Sequence, residues 1–308
     1  MTITPEQRAA LFNKLNAIDD AANAISNSVV EMTQMIDALT EVPPPPPPPS
    51  PSGEPMPTTD IPGWEIAWSE DFNKPAAEGK IRDVYGDKMM FYPPTAGTAF
   101  YTDTSKRGHY EAQNFSAEGS LLRLHVYTST DGIHHVGAWL PTLSAKDAAH
   151  GQYGSVTNGR FAVRFRSDPL STYKQAWMLW PMDGKWPEHG EIDFPERSLN
   201  GDTLQGFMHR EGALPESQGG LGGKDQDRVS VAFDKTKWHT CVTEWEMGKV
   251  CKFFLDGKLL GTFTDRVPAH PMRWTLQTET SLDKTQPINN SVHGYVEVDW
   301  AYYSKKVA

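Results

Sequence analysis

The first forty residues carry apolar side chains at a spacing of seven, in two interleaved series. One series consists of Leu11, Ile18, Ile25, Met32 and Leu39, and the other, offset by three, of Leu15, Ala22, Val29 and Ile36. Two offset apolar positions per seven residues are typical of a coiled coil, in which the second series takes the a positions and the first the d positions. The pattern predicts an oligomerising α-helix over residues 1–42.

The residues at the d positions bear on the number of chains in this coiled coil. Isoleucine at d disfavours a parallel dimer and shifts the preference to three or four strands. We therefore expect a homo-oligomer, with a trimer favoured, formed through residues 5–40. A lone amphipathic helix packed on the rest of the chain is the alternative, but the strict seven-residue recurrence favours self-association.

A helix start and a helix stop bracket this pattern. Thr4 is suited to the N-cap, Pro5 to the first helical position, and Gln7 to closing a capping box with Thr4. Residues 43–49 are an unbroken run of prolines, which cannot continue a helix. We expect residues 43–62 to be a stiff proline-rich linker; a docking ligand for another protein is the alternative.

From residue 63 onward the pattern changes to short strands rich in aromatic and β-branched residues, separated by turn residues. The clearest example is the pair of strands predicted at 238–245 and 250–255, from which Asp256 and Gly257 turn the chain into a third strand. Many short strands without a convincing internal helix predict an all-β sandwich or jelly roll over residues 63–308.

Composition narrows the class of ligand. The chain has 308 residues, 38% of them hydrophobic, which is enough for a packed core. A formal net charge of −10 argues against nucleic acid as a partner, because nucleic-acid-binding surfaces cluster lysine and arginine. No apolar run reaches the length of a membrane span. A neutral or sugar-like ligand fits this composition better.

The cysteines and histidines do not predict a disulfide framework or a zinc motif. Cys241 and Cys251 are too few for a disulfide framework, and burial as small apolar side chains in neighbouring strands is favoured over a single bridge. The adjacent pair His134 and His135 matches no recognised zinc spacing, and neither does His239 with the two cysteines. We interpret these histidines as surface or core residues.

Three carboxylates stand in one predicted strand, at Glu191, Asp193 and Glu196. Side chains alternate along a strand, so Glu191 and Asp193 share a face and Glu196 would point to the other. Pro195 cannot donate to a sheet ladder and is a natural site for a bulge that resets this alternation. One bulge would bring all three acids onto one face.

This arrangement suits glycosidic cleavage, which needs one carboxylate to attack the anomeric carbon and one carboxyl to protonate the leaving oxygen. Glu191 and Glu196 are the candidate pair, and a carboxyl separation of about 5.5 Å would predict a retaining mechanism. Asp193 between them should raise the pKa of a neighbouring carboxyl by like-charge repulsion. A cation site and a solvated acidic face are the alternatives.

Tryptophans just upstream of the acids are candidates for stacking on sugar rings. Trp177 and Leu179 lie on one face of their strand, opposite Met178 and Trp180, so at least one tryptophan must pack internally. We expect Trp177 and Trp186 to line the cleft.

At these residues the sequence resembles glycoside hydrolase family 16 (GH16), the laminarinase, lichenase and agarase group, over nearly all of 63–308. The most specific matches are Ala-Trp-Met-Leu-Trp-Pro at 176–181 and Gly-Glu-Ile-Asp-Phe-Pro-Glu at 190–196. The resemblance implies a concanavalin-like jelly-roll β-sandwich and a retaining endo-glycosidase for β-linked polysaccharide. It implies Glu191 as nucleophile, Asp193 as its electrostatic partner and Glu196 as acid/base.

The resemblance also suggests binding residues. His209 and Gln277 stand where similar enzymes place further cleft strands, so they are candidate sugar contacts. The segment 277–281, Gln-Thr-Glu-Thr-Ser, replaces the Asn-Leu-Ala-Val-Gly-Gly of well-known glucanases, so the resemblance does not extend to β-1,3-glucan specificity. No cofactor is required, but the family commonly holds a structural calcium ion, for which Asp299 is the candidate ligand.

The order of helix, proline spacer and hydrolase-like domain resembles minor tail proteins of actinobacterial phages. Residues 1–6 lack the basic and apolar regions of a secretory signal, so we expect synthesis in a host cytoplasm. A virion would then carry the domain to a cell-envelope polysaccharide, with other tail proteins as partners. A catalytically silent sugar-binding module and a structural tail component are the alternatives.

Overall fold

The computed structural model describes residues 3–40, 50–103, 108–144, 154–281 and 289–307. The chain forms two compact units, an N-terminal helix and a β-domain. Helix α1 spans Pro5–Thr40. The backbone N–H of Thr4 donates to Oε1 of Gln7 at 3.0 Å, and that of Gln7 to Oγ1 of Thr4 at 3.3 Å, which confirms the predicted capping box.

The apolar a and d side chains of α1 are exposed. Six of them are more than half accessible to solvent, namely Leu11, Leu15, Ile18, Ile25, Val29 and Met32. The side chains of Ile36 and Leu39 lie outside the described residues. An apolar stripe on a long helix needs a partner surface to be stable in water. The exposed a and d residues could pack against other chains, and the coiled coil itself stays a prediction. No described helix is both long and apolar enough to cross a membrane.

The described part of the β-domain contains seventeen strands, one short α-helix, α2 (Ile81–Tyr85), and three 3₁₀ turns. The strands are β1 (Trp64–Glu70), β2 (Met89–Phe91), β3 (Tyr101–Asp103), β4 (Gly108–Tyr110), β5 (Phe115–Glu118), β6 (Leu121–Thr128), β7 (His134–Pro141), β8 (Asn158–Ser167), β9 (Tyr173–Pro181), β10 (Glu191–Ser198), β11 (Thr203–His209), β12 (Gln226–Ala232), β13 (His239–Glu246), β14 (Val250–Leu255), β15 (Lys258–Phe263), β16 (Met272–Thr280) and β17 (His293–Lys306).

These strands form two facing sheets. The first, which we call the cleft sheet, has the antiparallel order β12-β11-β10-β9-β16-β7-β2. The second, the outer sheet, runs β15-β14-β13-β8-β17, and β17 is flanked on its other side by β6 and β1. Strand β7 pairs with both sheets, and β4 pairs with it in parallel. The predicted all-β jelly roll is confirmed.

The core lies between the two sheets and is rich in aromatic side chains. Trp177 of β9 packs on Phe165 of β8 with ring centroids 4.7 Å apart, and Phe194 of β10 packs on Phe253 of β14 at 4.8 Å. Each pair joins the cleft sheet to the outer sheet through residues that are at most 4% exposed. Aromatic pairs of this kind contribute about 1 kcal/mol beyond the burial of their area.

The predicted strand pairs around Asp256 and Gly257 are confirmed. Strands β13, β14 and β15 pair in sequence, and both turn residues have positive φ, at 48° and 78°, which suits a tight hairpin turn. Cys241 and Cys251 are buried in neighbouring strands, as predicted. Cys251 pairs with Trp245, four residues from Cys241, so the two thiols stand roughly 13 Å apart along the strands and cannot bridge.

The second half of the predicted linker belongs to the β-domain. Oδ2 of buried Asp299 accepts hydrogen bonds from Oγ of Ser50 (2.6 Å) and from the backbone N–H of Ser52 (3.2 Å). The indole N–H of Trp300 donates to the carbonyl of Glu54 at 2.8 Å. The linker predicted over 43–62 therefore ends earlier, because serines and apolar residues between its prolines find partners on the outer sheet. Residues 43–49 lie outside the described part of the chain.

Candidate active site

A cleft with a volume of about 1000 Å³ lies on the outward face of the cleft sheet. Its floor is formed by alternate residues of β9, β10 and β16, and one wall by aromatic residues around β2, β3 and β4. Glu191, Asp193 and Glu196 all line it. The face that carries these acids therefore looks away from the core, and the three carboxylates meet in one groove.

A bulge in β10 produces this convergence. On the β11 side, Asp193 pairs with Phe207 and Glu196 with Gln205, so β10 advances three residues while β11 advances two. The same shift appears against β9. The irregularity falls at Pro195, as the sequence predicted, because proline has no N–H for the ladder. The bulge resets the alternation and turns Glu196 to the side of the other two acids.

Glu191 and Asp193 form a buried carboxyl pair. Burial is the largest cause that raises the pKa of Glu191 well above its usual range, and the Asp193 charge adds to it. The pKa of Asp193 is also raised, first by burial and then by the charge of Glu196, while Lys174 opposes the shift. Two such carboxyls titrate as a pair, and the expected like-charge effect is present but second to burial.

His209 lies beside this pair. Its Nε2 is 3.2 Å from Oδ2 of Asp193 and 3.9 Å from Oε2 of Glu191. The imidazole is the group on β11 that faces both acids, because His209 pairs with Glu191 across the two strands. His209 was predicted as a sugar contact, and it lines the cleft. Its nearest described partners are the catalytic candidates themselves.

Lys174 is a central residue of the cleft that sequence reasoning missed. Its ammonium lies 2.8 Å from Oε1 of Glu196 and 3.3 Å from Oε1 of Glu279. Burial alone would lower the pKa of Lys174, but the two carboxylates outweigh it and raise that pKa above its usual range. Oε2 of Glu279 also accepts hydrogen bonds from Gln277 at 2.8 Å and from Tyr110 at 3.4 Å. The network ties the acid of β10 to β9 and β16.

The structure corrects one aromatic prediction. Trp177 is 1% exposed and packs in the core, so the prediction that it lines the cleft is wrong. Met178 pairs with Asp193 across β9 and β10, and directly paired residues lie on the same face of a sheet. Met178 and Trp180 consequently line the cleft. Trp186 lines it as predicted and is 43% exposed.

The opposite wall of the cleft is built from three tyrosines that sequence reasoning also missed. Tyr92, Tyr101 and Tyr110 contact one another with ring centroids 5.3 to 5.8 Å apart. The hydroxyl of Tyr92 donates to Oε1 of Gln277, which places the predicted contact Gln277 in the cleft. The wall and Trp186 offer apolar ring faces and hydroxyl groups, the combination that sugar rings bind.

Calcium at Asp299 stays a prediction. One carboxylate oxygen of Asp299 already accepts hydrogen bonds from Ser50 and Ser52, and the second donor is a backbone N–H. An N–H directs its positive end to the oxygen and cannot ligate a cation. Asp299 is not among the described groups of three acidic, histidine or cysteine ligands. As placed, these residues fit a hydrogen-bonded carboxylate.

The domain is a jelly-roll sandwich with a charged cleft. Acids lie along the floor of this cleft and aromatic residues form its wall. Within that class the fold is that of GH16 β-glucanases. SCLam, a non-specific endo-β-1,3(4)-glucanase from family GH16, matches it with a TM-score of 0.63 at 18% identity, over 82% of this chain and 95% of that chain.

Two further solved structures support this assignment of the fold. The laminarinase from Rhodothermus marinus has a TM-score of 0.59 at 19% identity, covering 80% of this chain and 98% of its own. LamA from Zobellia galactanivorans, in complex with laminaritriose and laminaritetraose, has a TM-score of 0.55 at 15% identity, covering 78% and 98%. No family model matches the sequence, and no curated protein matches it. The likeness is one of fold.

The first prediction concerns the ion pairs of Lys174. Lys174→Met should lower the free energy of unfolding by about 3 kcal/mol, because it removes the cation that lies between Glu196 and the 98% buried Glu279. Adding Glu279→Gln should restore a large part of the loss, since the neutral amide needs no counter-ion. Urea unfolding of the single and double variants measures both effects. Equal losses in the single and double variants would contradict the pairing.

The second prediction concerns Glu191. When folding raises the pKa of a carboxyl, the group stabilises the folded state below its ordinary pKa of 4.5, and this stabilisation is lost as pH rises through the folded pKa. Glu191→Gln cannot ionise, so it should be more stable than the natural chain by about 1 kcal/mol at pH 8 and by less at pH 4.5. Thermal unfolding at both pH values measures this, and a variant less stable at pH 8 would contradict it.

Proposed function

We propose that the β-domain is a retaining endo-glycosidase that hydrolyses β-linked polysaccharide, with β-glucan as the first substrate class to test. The observation that carries this proposal is the convergence of Glu191, Asp193 and Glu196 in one cleft. The fold supports it, because the similar structures include an endo-β-1,3(4)-glucanase and a laminarinase. The tyrosine wall and Trp186 add apolar ring faces that a chain of sugars requires.

In the proposed first step, an oxygen of Glu191 attacks the anomeric carbon and the bond to the leaving oxygen breaks. Glu196 gives its proton to that oxygen, so the leaving chain departs as an alcohol and Glu191 becomes a glycosyl ester. In the second step Glu196 takes a proton from water, and the hydroxide displaces Glu191 from the anomeric carbon. The configuration is inverted twice and therefore retained.

Asp193 and His209 support Glu191 in this scheme. The nucleophile must be ionised to attack, whereas burial and the Asp193 charge raise its pKa. In the scheme a proton stays on Asp193 and forms a hydrogen bond to ionised Glu191, which removes one buried charge and orients the nucleophile. His209, 3.2 Å from Asp193, is positioned to stabilise the pair when both acids are ionised.

The contact of Glu196 with Lys174 favours a second candidate function, a sugar-binding module without turnover. Oε1 of Glu196 lies 2.8 Å from the ammonium of Lys174, and this contact must loosen if that oxygen is to donate a proton to a substrate. Binding without cleavage uses the same cleft and the same aromatic wall. Turnover measurements separate the two candidates directly.

The third prediction is the loss of turnover in Glu191→Gln. Reducing ends released from β-glucans, galactans and envelope polysaccharides should fall at least about a thousandfold relative to the natural chain. Glu196→Gln should keep activity on aryl glycosides whose leaving group needs no proton. Glu188→Gln, an exposed glutamate just before the strand, is the matched control and should behave as the natural chain.

If the natural chain and Glu191→Gln both bind a glycan and neither releases reducing ends, the sugar-binding module becomes the better proposal. If Glu191→Gln releases reducing ends at the same rate as the natural chain, residues other than Glu191 must carry out the reaction. Nuclear magnetic resonance of the first product distinguishes retention from inversion. An inverted product would contradict the assignment of Glu191 as nucleophile.

We also propose that α1 joins three chains and that a phage tail carries the assembly to a cell envelope. The exposed a and d residues of α1 support the first part. The order of helix, proline segment and hydrolase-like domain supports the second, and other tail proteins would then be partners. Mass spectrometry of purified particles tests the virion, and recovery as a secreted free monomer would contradict it.

The fourth prediction tests the trimer. Sedimentation equilibrium of the whole chain should give about three times the 34.3 kDa of one chain. Ile25→Glu places a charge at a d position and should yield monomers, because a coiled-coil seam excludes unpaired charge. Asn27→Glu, at the outward f position two residues later, is the matched control and should stay trimeric. A natural chain that sediments as a monomer would end the proposal.

A further inference from the structure

Two histidines stand side by side on the face of β4 and β7 that is turned away from the cleft. His109 and His135 are directly paired across these parallel strands, with ring planes at 81° and centroids 5.7 Å apart. Glu111 follows β4, two residues after His109. All three side chains are partly exposed, so a dissolved ion can reach them.

One of the distances between the polar atoms equals an edge of a zinc site, and a second is slightly longer. Nδ1 of His135 lies 3.3 Å from the Glu111 carboxylate, and Nδ1 of His109 lies 3.7 Å from it. A tetrahedral zinc ion with bonds of 2.0 to 2.1 Å separates its ligand atoms by roughly 3.3 to 3.4 Å. One ligand atom from each residue lies within 4.8 Å of the other two. His109 therefore has to move toward Glu111 and His135 for all three ligands to reach one ion.

The hydrogen bond between Nε2 of His135 and Ser129 leaves Nδ1 of the same ring available to a metal ion. Its Nε2 lies 3.2 Å from Oγ of Ser129, and this hydroxyl gives its one proton to Asp131 (2.5 Å) or to the carbonyl of Ile133 (3.1 Å). Ser129 must therefore accept from Nε2, which carries the ring proton. In neutral His135 the lone pair of Nδ1 then faces Glu111, and a second group fixing the tautomer is typical of metal ligands.

We propose that His109, His135 and Glu111 bind zinc, or a divalent ion of similar preference, through both Nδ1 atoms and one carboxylate oxygen. Two imidazoles and a carboxylate are a common zinc ligand set, and water would take the fourth position. Ser129 holds His135 in the required tautomer. The ligands come from two strands that meet only in the folded sheet, which explains why their sequence spacing matches no zinc motif.

The proposed ion would fasten the tyrosine wall of the cleft. Strand β4 has three residues and pairs over three positions with β7 and over three with the equally short β3, which is a weak attachment. His109 and Tyr110 are adjacent and point to opposite faces, so the metal would hold the strand whose other face presents Tyr110 to the cleft. This consequence rests on the proposed function, whereas metal binding itself does not.

A second group, His189, Glu211 and His270, is less suited to a metal. Its two imidazoles are stacked, with planes at 5° and centroids 3.3 Å apart, so their nitrogen lone pairs run parallel and do not converge on one point. The 81° angle between His109 and His135 allows convergence. Variants of each group separate the two when zinc is titrated.

The fifth prediction is one zinc ion per chain at the proposed site. The whole chain, treated with a chelator and dialysed, is titrated with zinc chloride by calorimetry. Glu111→Gln and His135→Asn should each weaken binding about tenfold or more. His125→Asn is the matched control, because His125 pairs with Glu78 on the same sheet face outside the triangle, and its affinity should equal that of the natural chain. Circular dichroism checks that every variant is folded.

Cobalt provides a second readout that does not depend on glycan turnover. Cobalt(II) in a tetrahedral nitrogen and oxygen site absorbs visible light, and this absorption should appear with the natural chain and disappear with Glu111→Gln. No binding by the natural chain, or equal binding by Glu111→Gln, would overturn the proposal. If only the His189→Asn variant loses zinc binding, the ion binds at the stacked pair of His189 and His270, and the proposal is also overturned. None of these results bears on hydrolysis by Glu191.

Discussion

The cleft depends on holding four carboxylates close together with little access to water. Glu191, Asp193, Glu196 and Glu279 line one groove, and buried like charges repel while each loses its hydration. Two features balance this cost: Lys174 bridges two of the acids, and the raised pKa values of Glu191 and Asp193 favour a shared proton. In the proposed mechanism, the arrangement that destabilises the folded chain is also the one that supplies a nucleophile and a proton donor.

Strand β10 connects this chemistry to the stability of the sandwich. Ile192 and Phe194 point into the core, where Phe194 packs on Phe253 of the outer sheet, while the three acids of the same strand face the cleft. Strands β9 and β11 hold β10 on both sides, so the bulge at Pro195 is fixed by two ladders. A catalytic group on a central strand is positioned more rigidly than one on a loop.

Elements with few backbone hydrogen bonds are attached to the sandwich by side chains. The short strand β4 contributes Tyr110 to the network of Glu279 on one face and His109 to the proposed zinc site on the other. Residues 50–61 lie on the outer sheet through buried Asp299 and through the ion pair of Arg164 with Glu54. Polar contacts add to the short ladders of β4 and replace ladder hydrogen bonds at residues 50–61, where their removal would leave buried Asp299 unsatisfied.

Features that depend on near neighbours could be predicted from the sequence by itself: the capping box of α1, the turn at Asp256, the bulge at Pro195 and the shared face of the three acids. Their causes are local, namely strand alternation, a missing N–H and helix-end hydrogen bonding. Tertiary structure decided which face of β9 lines the cleft, and therefore that Trp177 lies in the core. The alternation of side chains along a strand does not specify which face of that strand is buried. Tertiary structure also decided the partners of Lys174, which lie 22 and 105 residues away and meet only when β9, β10 and β16 align.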